Sequence, residues 1–388
     1  MQNFWEKTDW ESEDRHLLSL KNMPFQRPFP AMTLGSGLFI IRGPRQVGKS
    51  CWIKTLLSEQ DPKNCYYLSC ENIRDHLDLA EVFKSQSNRK IFFLDEITFV
   101  DKWWRAVKHQ MDSSINLTIV LTGSHSQDLK AGADRMPGRF GKGGEFELLP
   151  MTYPEYIDAK MQAGWKIEKE QSAELEKFFR VGGFPIAVME GGESGKIPLG
   201  AIEVYKKWLL GDLIKLGKQE VFLKELLSQV ALSMTSTISL QKLAQKTQMG
   251  SHMTAQAYVE ILEACFALRT LYAINPEENH FHFKKQKKFY FRDPLIYWLA
   301  FSWADIEFPK NAMPQIAEMV AGEMLGRRYQ RFGYWSNKNG EVDFLSPKRW
   351  AIEIKWGDES HNLSKAYKDL RIPQKMVWSK NNFLQEWP

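Results

Sequence analysis

Cysteine is scarce: Cys51, Cys65, Cys70 and Cys265 are the four in 388 residues. None falls in a C-x-x-C pair or at zinc-finger spacing. This excludes a cysteine-built metal module and a disulfide-stapled fold, and makes a reduced, cytoplasmic setting the expectation. Long apolar runs are missing too. Nothing reaches the roughly 20 residues that a membrane span needs, and the acid-containing start MQNFWEKTDWESEDRH lacks the apolar segment of a signal peptide. There is no repeat, no low-complexity tract and no H-E-x-x-H pair. Neither sign of charge dominates: 52 Lys and Arg against 47 Asp and Glu leave a formal +5. Contact with nucleic acid would therefore have to come from local clustering. What remains is a globular composition, 43% hydrophobic and 26% charged, at a length that calls for two or three domains.

From about residue 35 to 150 the apolar runs LFIIRG, CYYLSC, KIFFLDE and TIVLTGS alternate with segments of helical spacing, KSCWIKTLLSEQ, IRDHLDLAEVFKSQ and DKWWRAVKHQMDS. Continuous apolar strands separated by helices predict an α/β fold, a parallel sheet covered on both faces. A helical region follows over roughly 153–215, broken at VGGFP and EGGESGK. Three further helices are expected in FLKELLSQVALSM, SLQKLAQKTQ and TAQAYVEILEACFAL, the last capped by Ser251 or Thr254. The β-like tract to Arg292 then completes the order of a winged helix. From about 313 a helix, two strands and a helix form a last unit.

The tract Gly43-Pro44-Arg45-Gln46-Val47-Gly48-Lys49-Ser50 fits G-x-x-x-x-G-K-[ST] between a strand and a helix, and Cys51 continues it. The glycines let backbone N–H groups turn toward phosphate oxygens, and the helix N-terminus adds partial positive charge. ATP and Mg²⁺ are the expected ligands. Lys49 would reach the outer phosphates, and Ser50 would ligate the metal with Asp95, at the end of IFFLDE. Glu96 is the candidate general base. At the end of TIVLTGS a hydroxyl, Thr122 or Ser124, either senses the γ-phosphate or orients the attacking water, or else only caps the strand end, and Arg139 in GRF is either an arginine finger or a structural arginine.

In the C-terminal tract GEVDFLSPKRWAIEIKW, Asp343 and the pair Glu353-x-Lys355 fit D…(E/D)-x-K on adjacent strands. Alternate side chains of a strand share a face, so Glu353 and Lys355 point together. Carboxylates around a Mg²⁺ can lower the pKa of a water that attacks a phosphodiester. The alternative is a set of polar residues on one face of a half-buried sheet. The lysines of HFHFKKQKKFYFR (His280–Arg292) read either as phosphate contacts beside stacking aromatics or as solvated edge protection.

Taken in order, GPRQVGKS, FFLDEI, VLTGSH, GRF…FELLPMTYPEY, GGFP and YFRDP resemble the prokaryotic AAA+-type P-loop ATPases that carry a winged helix and a C-terminal restriction-nuclease-like (PD-(D/E)XK) domain of unknown function. One departure is RDPLIYW (Arg292–Trp298), where relatives often show D-x-G-L. The resemblance implies an ATPase core over 1–150, a helical lid over 151–218, a winged helix over 219–292 and a mixed α/β nuclease-like domain over 293–388. It also adds Glu323, on the helix before the strands, as a further metal-site acid beside Asp343 and Glu353. The expected function is an ATPase whose nucleotide state gates nucleic-acid cleavage, DNA more than RNA. The competing one is a nucleotide-switched binding module with a silent nuclease fold. A monomer or small homo-oligomer away from membranes is expected in both.

Overall fold

The computed structural model describes residues 3–123, 126–357 and 363–383. The chain divides into two compact units, Met1–Pro150 and Met151–Pro388.

In the first unit the elements run α1 (Arg15–Lys21), β1 (Gly37–Arg42), α2 (Lys49–Ser58), β2 (Cys65–Ser69), α3 (His76–Ser85), β3 (Ile91–Asp95), α4 (Trp103–Ser113), β4 (Thr118–Gly123), α5 (Ser126–Ala133) and β5 (Gly144–Glu147). Five parallel strands form one sheet in the order β2-β3-β4-β1-β5. Leu38 and Ile40 of β1, Phe92 and Leu94 of β3, and Ile119 and Leu121 of β4 are buried against Leu79 and Phe83 of α3 and Trp103 and Val107 of α4. Burial on both faces is why these strands read as unbroken apolar runs. Each such side chain contributes about 1.5–3 kcal/mol on leaving water. Asp75 begins α3 by accepting from the backbone N–H groups of Leu77 and Asp78. The segment before β1 belongs to this core as well. Phe4 and Trp5 pack edge-on against Tyr67, and Lys54 pairs with Asp14 at 2.5 Å.

The second unit opens with helices α6 (Tyr153–Gln162), α7 (Gln171–Val181), α8 (Pro185–Gly191) and α9 (Leu199–Lys215). A reciprocal capping box between Thr152 and Glu155 starts α6, as TYPE in the sequence signals. Three helices follow, α10 (Glu220–Leu232), α11 (Leu240–Gln245) and α12 (His252–Ala264), the last capped by the Ser251 hydroxyl. Strands β6 (Leu268–Tyr272), β7 (Ile274–Asn275), β8 (His280–Phe281) and β9 (Lys287–Phe291) form two antiparallel pairs, β6 with β9 and β7 with β8. Then come α13 (Pro294–Ala304), α14 (Met313–Arg328), β10 (Gly333–Asn337), β11 (Gly340–Ser346), β12 (Trp350–Lys355), α15 (Lys365–Asp369) and β13 (Gln374–Ser379). The last sheet has the order β10-β11-β12-β13, antiparallel except for β12 with β13. Two sequence landmarks meet in this unit. The buried Asp293 carboxylate accepts from Gly183 N and Leu295 N, both at 2.8 Å. The GGFP break is thereby tied to the start of α13.

Candidate nucleotide site and carboxylate cluster

The parallel strands of the first unit bring their C-terminal ends to one edge of the sheet, where open α/β sheets hold ligands. β1 ends at Arg42, and residues 43–48 turn the chain into α2. A side chain at Gly43 would place its Cβ 2.0 Å from the Leu148 carbonyl oxygen, so only glycine fits. Gly48 caps α2 at φ +100°, a left-handed conformation that favours glycine. Pro44 is buried, Arg45 half-buried and Gln46 exposed. Val47 is buried, and its carbonyl accepts from Arg27 at 2.9 Å, which braces the loop from behind. Lys49 is only 5% exposed, and its Nζ donates to the carbonyls of Gly43 and Pro44 at 3.0 and 2.8 Å. Ser50 lies in the first turn of α2, as does Cys51, whose thiol burial pushes up to about 11 and so leaves unreactive.

Asp95 ends β3 and is buried. Tyr67 donates to one of its oxygens at 3.0 Å and the Thr122 hydroxyl to the other. Thr122 also accepts from Glu96 N at 3.0 Å. Strand β4 lies between β1 and β3, with Leu121 opposite both Ile40 and Leu94, so Thr122 stands between the phosphate loop and the acidic strand end. Glu96 holds φ 55° and ψ 46°, a left-handed conformation costing about 1–3 kcal/mol for a side chain of this kind. The tract therefore aims two successive carboxylates differently, one buried in a hydroxyl cage and one turned out of the strand. Ser124, the other hydroxyl expected at this strand end, lies outside the described residues. Arg139 makes a two-pronged pair with Asp112, at 2.7 and 2.9 Å, on the surface of the unit.

In the second unit Asp343, Glu353 and Lys355 come together as the spacing implies. Asp343 accepts from Ile354 N at 2.9 Å. Glu353, 2% exposed, pairs through one oxygen with Lys355 at 3.1 Å, while its Oε1 is buried without a hydrogen-bond partner. Burial, with Asp343 nearby, pushes this carboxyl from 4.5 up to about 7. Stability from this group is therefore complete below pH 4.5 and is lost as pH rises through about 7. We expect Glu353→Gln to flatten the fall in Tm between about pH 5 and pH 8, and to exceed wild type at the upper pH by on the order of 2 kcal/mol, read by scanning calorimetry.

Glu323 does not join this set. It is buried among three guanidinium groups: Arg269 at 2.9 Å, Arg292 at 3.0 Å and Arg327 at 3.1 Å. Burial opposes its charge, but the three arginines outweigh burial and hold the carboxyl at about 2. The helix acid that does face the strands is Glu318. Five residues along a helix is a rotation of about 140°, so the two glutamates of α14 point to different neighbours.

Around Glu318 the charges are inverted relative to a metal site. Lys288 of β9, fully buried, puts its Nζ 2.9 Å from Glu318, 2.5 Å from Glu341 and 3.4 Å from Asp343. Tyr290, two residues on and on the same face, donates to Glu318 at 2.6 Å. Burial works against the Lys288 charge, yet Glu318, Tyr290, Asp343 and Glu341 raise its pKa well above the ordinary value. Burial and the Asp343 charge push Glu318 up to about 7. Among the described residues no group of three or more His, Cys, Asp or Glu side chains is arranged to hold a metal ion. Glu323, held by three arginines, therefore stands apart from Asp343 and Glu353, with which it was expected to share Mg²⁺. An internal ammonium sits among the acids instead.

The nucleotide cradle and the strand order define a P-loop ATPase core, and residues 36–157 match the family described as AAA domain. The first unit is thus similar to this AAA-domain family over most of its length. Residues 172–304 match a second family, Domain of unknown function (DUF8612). The chain is similar to the uncharacterized protein MJ1544 of Methanocaldococcus jannaschii, 26% identical over 333 residues that cover 79% of this chain and 71% of that protein. It is also similar to an uncharacterized protein of Haemophilus influenzae, 31% identical over 166 residues, 39% of this chain and 40% of that one. A solved structure that it resembles is the Walker-type ATPase PABY2304 of Pyrococcus abyssi, with 19% identity, a TM-score of 0.47, and coverage of 76% of this chain and 96% of that one. Among the described residues no helix is long and apolar enough to cross a membrane.

Proposed function

We propose that the chain is an ATP-driven switch. ATP binding and hydrolysis in the first unit control a second unit that binds nucleic acid without cutting it. Lys49 and the backbone N–H groups of residues 45–50 would hold the phosphates, and the Ser50 hydroxyl with Asp95 would hold Mg²⁺. When bound, Mg²⁺ neutralises charge on the β- and γ-phosphate oxygens. Glu96 takes the proton of the attacking water, and Thr122 keeps Glu96 and Asp95 in register. Arg139, with its guanidinium held by Asp112 and the Pro137 carbonyl, is a structural arginine in this reading.

The observation that favours a silent second unit is the Lys288 ammonium among Glu318, Glu341 and Asp343. The three helices before β6 and β9 support a winged-helix reading. The order α14-β10-β11-β12-α15-β13 supports a nuclease-like one. The test is to incubate the full chain with ATP and Mg²⁺ or Mn²⁺ on single- and double-stranded DNA and RNA. No strand scission is expected, with retention on the polymer that differs between ATP and ADP. Scission that Asp343→Ala abolishes would restore the nuclease reading.

A further inference from the structure

Basic side chains gather at one end of the last sheet. The turn between β11 and β12 carries Lys348 and Arg349, and the stretch from the end of α15 into β13 carries Lys368, Arg371 and Lys375. Asp369 is the single acid in residues 347–350 and 368–375. All five cations are exposed, and none forms an ion pair with a described residue.

Backbone contacts bring the two tracts together. Gln374 N donates to the Arg349 carbonyl at 3.3 Å, where β12 and β13 start side by side with Trp350 opposite Gln374. The Lys375 ammonium donates to the Lys368 carbonyl at 2.9 Å and lies 5.5 Å from the centre of the Tyr367 ring. Both partners are uncharged, so they orient this charge without neutralising it. The mount beneath is fixed. Tyr367 and Leu370 are buried with Val342, Leu345 and Ala351, and the Tyr367 hydroxyl donates to the Met376 carbonyl at 2.9 Å. Lys348 holds φ 60° in a turn closed by Arg349 N on the Ser346 carbonyl at 3.1 Å.

The kind of partner follows from what the patch lacks. Among the described residues of the last sheet and α15 no large apolar side chain is exposed. A protein partner would bury an apolar centre, and a membrane-binding face would insert apolar side chains. A phosphate backbone needs only cations. Five of them against one acid, in a chain of +5 formal charge, are the local clustering that a polyanion requires. Glu353 and Lys355 follow three and five residues after Trp350, about 10 and 17 Å further along β12. A strand held at the basic end therefore need not touch the carboxylate set.

We propose that this end of the last sheet binds the sugar–phosphate backbone of a nucleic acid. The proposal rests on the reading of the second unit as a nucleic-acid-binding one and adds where the polymer lies. Backbone contact of this kind positions the strand without reading its sequence.

The test uses the full chain and a fivefold variant, Lys348→Gln, Arg349→Gln, Lys368→Gln, Arg371→Gln and Lys375→Gln. A control makes the same change of charge on exposed lysines of the first unit, Lys7, Lys21, Lys63, Lys84 and Lys90, each to Gln. Binding of a fluorescein-labelled mixed-sequence oligonucleotide, single-stranded or duplex, is followed by anisotropy across a salt series. The patch variant should bind on the order of tenfold or more weakly at low salt, and its slope of log K against log salt should shrink by about 3–4. The control should keep the wild-type slope, and unchanged circular dichroism checks the fold. The smaller variant Lys348→Gln, Arg349→Gln should lose about 1–2 of the slope, so the test stands even where the fivefold variant folds poorly. Equal affinity and slope in wild type and both patch variants would overturn the patch while leaving nucleic-acid binding in place. An equal loss in the first-unit control would show an effect of net charge and overturn the patch as well. Failure of wild type to bind either oligonucleotide at low salt would overturn both readings. Retention on phosphatidylserine vesicles that the patch variant loses, with its oligonucleotide binding unchanged, would mark a lipid-facing surface and overturn the backbone assignment.

Discussion

Lys49→Ala is expected to abolish detectable binding of MgATP in titration calorimetry, a loss on the order of 100-fold or more. The reason lies in where the charge sits. Lys49 is buried at the first position of α2, and its ammonium is held by the carbonyls of Gly43 and Pro44. The helix N-terminus behind it offers about half an elementary charge, whereas the ammonium brings a full one. A hydrogen bond to a charged group contributes about 1.5–3 kcal/mol, and one ammonium serves more than one phosphate oxygen. Alanine keeps the helix, so the variant remains folded, and its loss is one of affinity. Glu96→Gln separates binding from chemistry. Glutamine keeps the left-handed backbone and its N–H bond to Thr122, so nucleotide affinity should stay within a fewfold while phosphate release drops by about 10²–10⁴. Unchanged binding heat in Lys49→Ala would remove the phosphate loop from the site, and unchanged turnover in Glu96→Gln would remove the base.

How far these features are legible in the sequence depends on whether the signal is local. The loop at 43–50 is legible because every requirement of a phosphate cradle falls within eight consecutive residues. β1 to β4 are legible because a strand buried on both faces must be apolar throughout. β5 is not: GEFE is four residues long, and its burial alternates at the sheet edge. Nor is the placement of β4 between β1 and β3 written in any one segment, although it is what puts Thr122 beside Asp95. The C-terminal acids on strands were legible from period two. Glu323 was not separable from Glu318, because both lie in one helix and only its rotation against β9 decides which faces the sheet. Lys288 was hidden most thoroughly. In KKQKKFYF it looks like a neighbour of the exposed Lys284 and Lys285, yet alternation along β9 turns it inward to full burial. Reading that tract as a run of phosphate contacts or solvated lysines is corrected at this one position.

That inward turn carries the second large effect. Lys288→Met keeps the length and apolar stem of the side chain but deletes the ammonium, leaving Glu318, Glu341 and Asp343 facing one another beside Tyr290. Removing one partner of a buried ion pair costs about 3–5 kcal/mol. In a unit of this size that lowers Tm by roughly 10 °C in calorimetry of the full chain, with unchanged MgATP affinity as the check that the first unit is intact. The loss should be larger at about pH 8 than at about pH 6. Glu318 titrates near 7 already in wild type, and removing the ammonium raises it further, so acid relieves the repulsion by protonating it. Adding Glu318→Gln to Lys288→Met should recover part of the loss, a positive coupling in the double-mutant cycle. Mn²⁺ should stabilise Lys288→Met and leave wild type unmoved, since an ion can enter only where the ammonium has gone. A wild-type chain that gains as much from Mn²⁺ as the variant would show that Lys288 does not hold the cation's place, and with it would fall the silent reading of the second unit.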